Sequence, residues 1–115
     1  SANAQTVLPP VFISKILPPI PVGLSESEVL KISYIDGTID NKKAFSLVFE
    51  NKSDAPIFFG WTLIDKNGKP VGEQLLMKIQ PHSSVDYSSS EYGEKLIFTI
   101  TEDVLPTRCS FNLSF

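Results

Sequence analysis

The chain has 115 residues, enough for one domain that buries its own core without metal or disulfide help. Hydrophobic residues make up 42% and charged residues 20%, a balance that excludes wholesale disorder and a membrane bundle. The net charge is −3, and Lys42-Lys43 is the single adjacent basic pair, with Asp40 beside it, so nucleic acid and anionic membrane surfaces are disfavoured as partners.

The chain opens Ser1-Ala2-Asn3-Ala4-Gln5. Ala2-Asn3-Ala4 has the small-residue form of a signal-peptidase site, and a vector remnant has the same form. On either reading a signal peptide, anchor or membrane helix is expected upstream. Leu8-Pro9-Pro10-Val11 is echoed by Leu17-Pro18-Pro19-Ile20, and prolines at 9, 10, 18, 19 and 21 crowd this stretch. Proline holds φ near the polyproline value and removes an amide donor, so the segment is extended, stiff and unfit for a central strand. The run from Val11 to Leu17 between the proline pairs suits an edge strand. Its apolar character implies that part of the segment packs on the domain. The expected organisation is a proline-rich lead-in over 1–23 and a β domain over 24–115. Within the domain, Ser25-Glu26-Ser27-Glu28 has capping-box form and room for at most one helical turn.

From Glu28 onward the apolar residues alternate with period 2. The series are Leu30-Ile32-Tyr34, Phe45-Leu47-Phe49, Ile57-Phe59-Trp61-Leu63, Leu75-Met77-Ile79, Val85-Tyr87, Leu96-Phe98-Ile100 and Cys109-Phe111-Leu113-Phe115. Successive strand side chains point to opposite faces, so each series marks a buried face. Turn residues punctuate them: Asp40-Asn41-Lys42-Lys43, the loop from Asn51 to Pro56, Asp65-Lys66-Asn67-Gly68-Lys69, Gln80-Pro81-His82-Ser83, the Ser-rich stretch from Ser88 to Glu94, and Glu102 to Thr107. Gly60 inside the strongest series implies a bulge or a close backbone approach. No window has the apolar spacing of a long amphipathic helix. The expected fold is all-β: an immunoglobulin-like antiparallel β-sandwich of seven or eight strands, with Trp61 as a core anchor. The paired cysteines of antibody domains are absent, so the likeness is one of architecture.

Chemistry-bearing residues are few. His82 is the single histidine; it reads as an exposed turn residue rather than a base for Ser83 or Ser84. Cys109 is the single cysteine and reads as a small core residue. One Cys and one His do not make a zinc site, and Asp36, Asp40, Asp54, Glu102 and Asp103 read as solvated loop carboxylates without calcium-loop spacing. No catalytic, metal or cofactor site is expected. Asn51-Lys52-Ser53 and Asn112-Leu113-Ser114 match the glycosylation sequon, a short motif that carries no weight alone.

The remaining signal is surface. Phe58 points opposite to Phe59, and Val48, Ile64 and Ile97 share that outward parity. Such a pattern means a strand covered on both faces or an apolar patch for a partner. Candidate contact residues are Phe58, Trp61, Phe111, Leu113 and Phe115, acting through a sheet face or an edge strand in binding a protein or a second copy. A carbohydrate- or ligand-binding sandwich would instead use Tyr34, Tyr87, Tyr92 and Trp61. An enzyme-inhibitor-like domain would insert the loop from Ser88 to Glu94.

Three pieces of sequence carry a family likeness: Asn51-Lys52-Ser53-Asp54-Ala55-Pro56-Ile57; Trp61-Thr62-Leu63-Ile64-Asp65-Lys66-Asn67-Gly68-Lys69-Pro70-Val71; and Ile79-Gln80-Pro81-His82-Ser83-Ser84. Together they resemble the pattern of extracytoplasmic immunoglobulin-like modules of prokaryotic envelope proteins, of which the soluble domains of archaellum stator proteins are one group. His82 stands where those modules usually carry Gly. The resemblance covers about a third of the chain. It implies a non-catalytic structural or protein-binding module, periplasmic or on the cell surface, with no membrane insertion of its own within this sequence.

Overall fold

The computed structural model describes residues 12–14, 20–26 and 29–115, with 13, 14 and 20–26 described as backbone alone. Ala2-Asn3-Ala4, Leu8-Pro9-Pro10-Val11, Leu17-Pro18-Pro19 and Ser27-Glu28 lie outside the described residues. Nine strands are present among them: β1 (Ile13–Ser14), β2 (Ile20–Glu26), β3 (Leu30–Ile39), β4 (Lys42–Asn51), β5 (Ile57–Ile64), β6 (Pro70–Ile79), β7 (Ser84–Val85), β8 (Ile97–Thr99) and β9 (Ser110–Ser114). All pairings are antiparallel and they form two sheets. In the first, β1 and β2 share one edge of β3, β3 pairs with β4, and β7 and β8 share the far edge of β4. In the second, β5 is central between β6 and β9. Four lanes face three, so the nine segments make a seven-lane, all-β, two-sheet fold.

The alternation read from sequence is the alternation of burial. Leu30, Ile32 and Tyr34 of β3, Phe45, Leu47 and Phe49 of β4, Phe59, Trp61 and Leu63 of β5, and Met77 and Ile79 of β6 form one core with Leu96 and Cys109. Aromatic rings bridge the sheets. Phe49 lies 5.1 Å from Trp61, 5.7 Å from Phe59 and 6.0 Å from Phe111, tilted or edge-on as ring quadrupoles prefer. The Trp61 indole N–H, which would be costly to bury unpaired, donates to Met77 Sδ at 2.9 Å.

β4 is buried on both faces: Ala44, Ser46 and Val48 are buried as well as Phe45, Leu47 and Phe49. Phe12, from the proline-rich stretch, is itself buried, with its ring 4.9 Å from that of Tyr87. That stretch therefore packs on the domain at Phe12, and its β1 and β2 backbones run along the open edge of β3. An edge lane is where Pro21 fits, because its missing amide leaves no central ladder bond unmade.

Turn chemistry sets the registers. Asp40 and Asn41 have φ of 52° and 59°, with Ile39 opposite Lys42; two left-handed residues make the type I′ turn that matches strand twist. The β5–β6 turn is wider than its Asn-Gly pair implies. Asp65 Oδ1 accepts the amides of Asn67 and Lys69, Gly68 N–H donates to the Asp65 carbonyl, and Gly68 is the left-handed residue. Gly60 is a close approach. A Cβ there would meet Gln74 Nε2 at 2.6 Å, and the bulge falls one step on, between Trp61 and Leu63, where β6 turns through Gly72 at φ 79°.

Two local expectations differ from the structure. Ser25 and Glu26 end β2 and are strand, not a helical turn; pairing of Glu26 with Lys31 outweighs the capping pattern. Leu96 belongs to a short 3₁₀ helix, Gly93–Leu96, ahead of β8. One buried leucine satisfies a period of 2 and a 3₁₀ turn equally well. Gly93 N–H donates to the Ser89 carbonyl, and any Cβ at Gly93 would collide with the Tyr87 carbonyl, so this turn needs glycine.

One buried polar residue closes the β4 end. The Asn51 side chain is fully enclosed; its Nδ2 donates to the carbonyls of Ala55 (2.8 Å) and Ile79 (3.0 Å), and its Oδ1 accepts from Ser53 N (2.9 Å) and Oγ (2.7 Å). All four bonds are intramolecular, so Asn51 carries no glycan in the folded protein although its sequon is intact. Replacing it with Ala strands two carbonyls and a loop. Asn51→Ala should lower stability by about 2–4 kcal/mol in urea unfolding, and a loss below about 0.5 kcal/mol would show that water replaces the amide.

Candidate functional site

β5 is central in its sheet, so its side chains alternate between the core and the opposite, outward face. Phe59, Trp61 and Leu63 point in; Phe58, Gly60 and Thr62 point out. β6 brings Leu76 opposite Gly60 and Lys78 opposite Phe58 on the same outward face. Phe58 is 63% exposed and Leu76 71%. Because Gly60 has no side chain, those of Gln74 and Leu76 lie across it. Phe115 follows the inward parity of β9 but runs past the end of the core; it stacks on Phe59 at 5.8 Å and stays 75% exposed. Phe58, Leu76 and Phe115 together line one open apolar hollow of about 420 Å³, with Lys78 and Tyr92 at its border. Lys78 Nζ sits 5.1 Å from the Phe58 ring centre, a cation–π contact at the surface.

The five sequence candidates therefore separate. Phe58 and Phe115 are surface residues of one hollow. Trp61 is 2% exposed and is a core residue outside this hollow. Phe111 and Leu113 are half-buried and face inward, Phe111 with its ring 6.0 Å from that of Trp61. Leu76 was not among the candidates. The parity of Leu75, Met77 and Ile79 places it outward, and Gly60 across the ladder leaves it without cover. That pairing was the signal.

The aromatics of the carbohydrate reading are dispersed. Tyr34 is buried beneath Phe45, Tyr87 is against Phe12, and Tyr92 accepts the Lys78 amide through its hydroxyl at 3.2 Å. The loop from Ser88 to Glu94 is tied back on itself. Asp86 Oδ1 accepts Ser88 N, and Ser89 Oγ accepts Glu91 N and Tyr92 N.

His82 and Asp54 pair at the surface, Nε2 to Oδ1 at 2.6 Å. His82 N–H also donates to the Ser53 carbonyl, and Asn51 N–H to the Ser83 carbonyl, so the pair clamps the β4–β5 loop to the β6–β7 turn. Ser83 Oγ donates to the Pro81 carbonyl instead of to His82. The φ of His82 is 53°, in the left-handed region that favours glycine. Among the described residues no group of three or more His, Cys, Asp or Glu gathers as metal ligands, and no helix is long and apolar enough to cross a membrane. Compared with protein-family models, curated proteins and solved structures, the chain matches none of them.

The buried thiol and phenol are displaced in one direction. Burial pushes the Cys109 thiol above its ordinary value of 9.0, against a lowering hydrogen bond from the Leu105 backbone and with a further push from Asp65. Burial, then Asp36, pushes the Tyr34 phenol above 10.0. Both groups hold protons more tightly when folded than when unfolded. Their contribution is complete below the unfolded values and is lost as pH rises above about 9. Unfolding midpoints in urea should fall between pH 9 and pH 11, less steeply in a Cys109→Ala, Tyr34→Phe double variant. Native Cys109 should also resist a thiol reagent that reacts at once in urea. His82→Gly should leave stability within about 1 kcal/mol, the relieved backbone offsetting the lost pair, whereas His82→Val should cost more. Equal melting temperatures for the two would count against the backbone explanation.

Proposed function

We propose that this chain is a non-catalytic structural or protein–protein interaction module of an extracytoplasmic assembly, periplasmic or on the cell surface, and that it associates through the outward face of β5 and β6. The observation that carries the reading is the hollow shared by Phe58, Leu76 and Phe115. Three large apolar side chains, each more than 60% exposed, converge on one end of one sheet. Single exposed apolar residues are ordinary, but a contiguous group is the usual mark of an interaction surface. Among the described residues the other exposed large hydrophobic is Val29, at 39%, and no buried side-chain nitrogen or oxygen lacks a hydrogen-bond partner.

The immunoglobulin-like assignment is part of this proposal. It rests on two packed antiparallel sheets and on the three sequence pieces quoted above. It is a likeness of architecture, because β3 and β4 stay in one sheet as a hairpin, whereas antibody domains send the second and third strands to opposite sheets. The extracytoplasmic location rests on the sequence resemblance.

The test is light scattering after size exclusion, over a wide concentration range. The weight-average mass of the native chain should rise with concentration. A Phe58→Ser, Leu76→Ser double variant should remain monomeric with its melting temperature nearly unchanged, since both sites are exposed. A native chain that stays strictly monomeric up to about millimolar concentration would sink self-association through this face.

A further inference from the structure

The two open edges of the β6–β5–β9 sheet are not equivalent. On the β9 side, the β2 backbone comes close to β9 across the flank. On the other side, β6 faces Gly93–Leu96 and β8 across a cleft of about 320 Å³. Trp61, Val71, Leu75 and Phe98 give this cleft its apolar walls, and Glu73 and Lys95 stand at its rim, one charge of each sign.

The direction of the β6 backbone groups follows from one hydrogen bond. Lys78 N–H donates to the Tyr92 hydroxyl and so points away from β5. In an antiparallel ladder alternate residues turn both N–H and C=O to the same side. Lys78 is therefore an outward residue, Met77 and Leu75 bond to β5, and Leu76 and Gln74 turn their amides and carbonyls to the flank. At the Lys78 end a side chain already satisfies the edge. At the other end the register breaks at Gly72. Between these limits the edge from Glu73 to Met77 is open for roughly 17 Å, the length of about five extended residues.

From this geometry we infer that the β6 edge is a strand-addition site for a short extended peptide, which hydrogen-bonds to Leu76 and Gln74 and places one apolar side chain in the cleft walled by Trp61, Leu75 and Phe98. The inference rests on the protein-interaction reading above and names its partner chemistry. Main-chain bonds supply affinity and the cleft supplies selection. The free edge is too short, and too closely bounded by Tyr92, for the β6 of a second copy to pair along its whole length. With one cation and one anion at the rim, the cleft favours no net charge, and its walls select an aliphatic or aromatic side chain.

The probe is acetyl-Thr-Val-Thr-Leu-Thr-Val-Thr-amide, titrated into ¹⁵N-labelled protein, with the single tryptophan as a fluorescence reporter. The amides of Gln74 and Leu76 and the Trp61 indole should shift together. A probe with Asp in place of the central Leu should bind at least about tenfold more weakly. Leu76→Pro removes an outward amide and no ladder bond, a change tolerated on an edge, and should weaken the Leu probe about tenfold. Leu76→Ser keeps the amide and should bind the probe within about twofold of the native chain while losing self-association. Binding by a native chain that stays monomeric would leave the edge site standing and remove the face. Gln74 and Leu76 amides unmoved at about millimolar probe, or equal affinities of Leu76→Pro and Leu76→Ser, would overturn the edge site whatever the light scattering shows.

Discussion

Phe49 holds the two sheets together. It sits near the end of β4, fully enclosed, and its ring meets Phe59, Trp61 and Phe111, three residues drawn from both β5 and β9. Burying an aromatic ring of this size contributes roughly 1.5–3 kcal/mol by transfer alone, and the tilted ring pairs add to it. Everything else is arranged around that contact. β4 must be flanked on both edges and covered on both faces for Phe49 to be dry. The β3 hairpin, the β7 and β8 segments and the Phe12 ring are placed accordingly. β5 must be central in its sheet for Phe59 and Trp61 to reach the same ring.

Being central gives β5 a second consequence. A strand with neighbours on both sides has an inward and an outward row, and its sequence is apolar at Phe58 as well as at Phe59. The inward row is fixed by Phe49. The outward row has no covering layer among the described residues, which is why Phe58 and Leu76 stand in solvent while Val48, at the same parity on β4, is buried. The same parity rule thus produces a hidden valine on one sheet and an exposed phenylalanine on the other. Parity alone does not separate them, because cover comes from elements distant in sequence.

That difference marks how far the chain could be read in advance. The alternation at Leu30-Ile32-Tyr34, Phe45-Leu47-Phe49 and Phe59-Trp61-Leu63 was legible because a period of 2 is a property of each strand by itself. The turn at Asp40-Asn41 was legible for the same local reason. Which strands share a sheet was not, since β5 to β9 and β4 to β8 are long-range pairings without a sequence signature. At the site, Phe58 and Phe115 could be named from parity and position. Trp61 fits both a core anchor and a contact residue on sequence grounds, because an aromatic in a strand serves a core or a surface equally well. Leu76 needed the register of β6 against Gly60. The clamp built on Asn51 looked like a sequon and a loop; its buried amide bonds appear only when Ala55 and Ile79 are brought to it.

The clamp and the apolar hollow are neighbours, and their proximity has a physical use. Asn51 Nδ2 holds the Ile79 carbonyl, Ile79 pairs with Ile57, and the next rung is Phe58 with Lys78. His82 and Asp54 fasten the two loops at that same end. A surface side chain that must be immobilised on binding costs roughly 0.5–1.5 kcal/mol of ordering. Here the strand ends that carry Phe58 and Lys78 are already fixed by a fully satisfied buried polar group, and the Phe58 ring is already under the Lys78 ammonium. The cost of presenting this surface is thus met during folding, which leaves more of the apolar burial available to association. A hollow at a frayed strand end would lack that advantage. The tie between Asn51 and Phe58 is therefore the link that couples the stability of this fold to the association proposed for the Phe58 face.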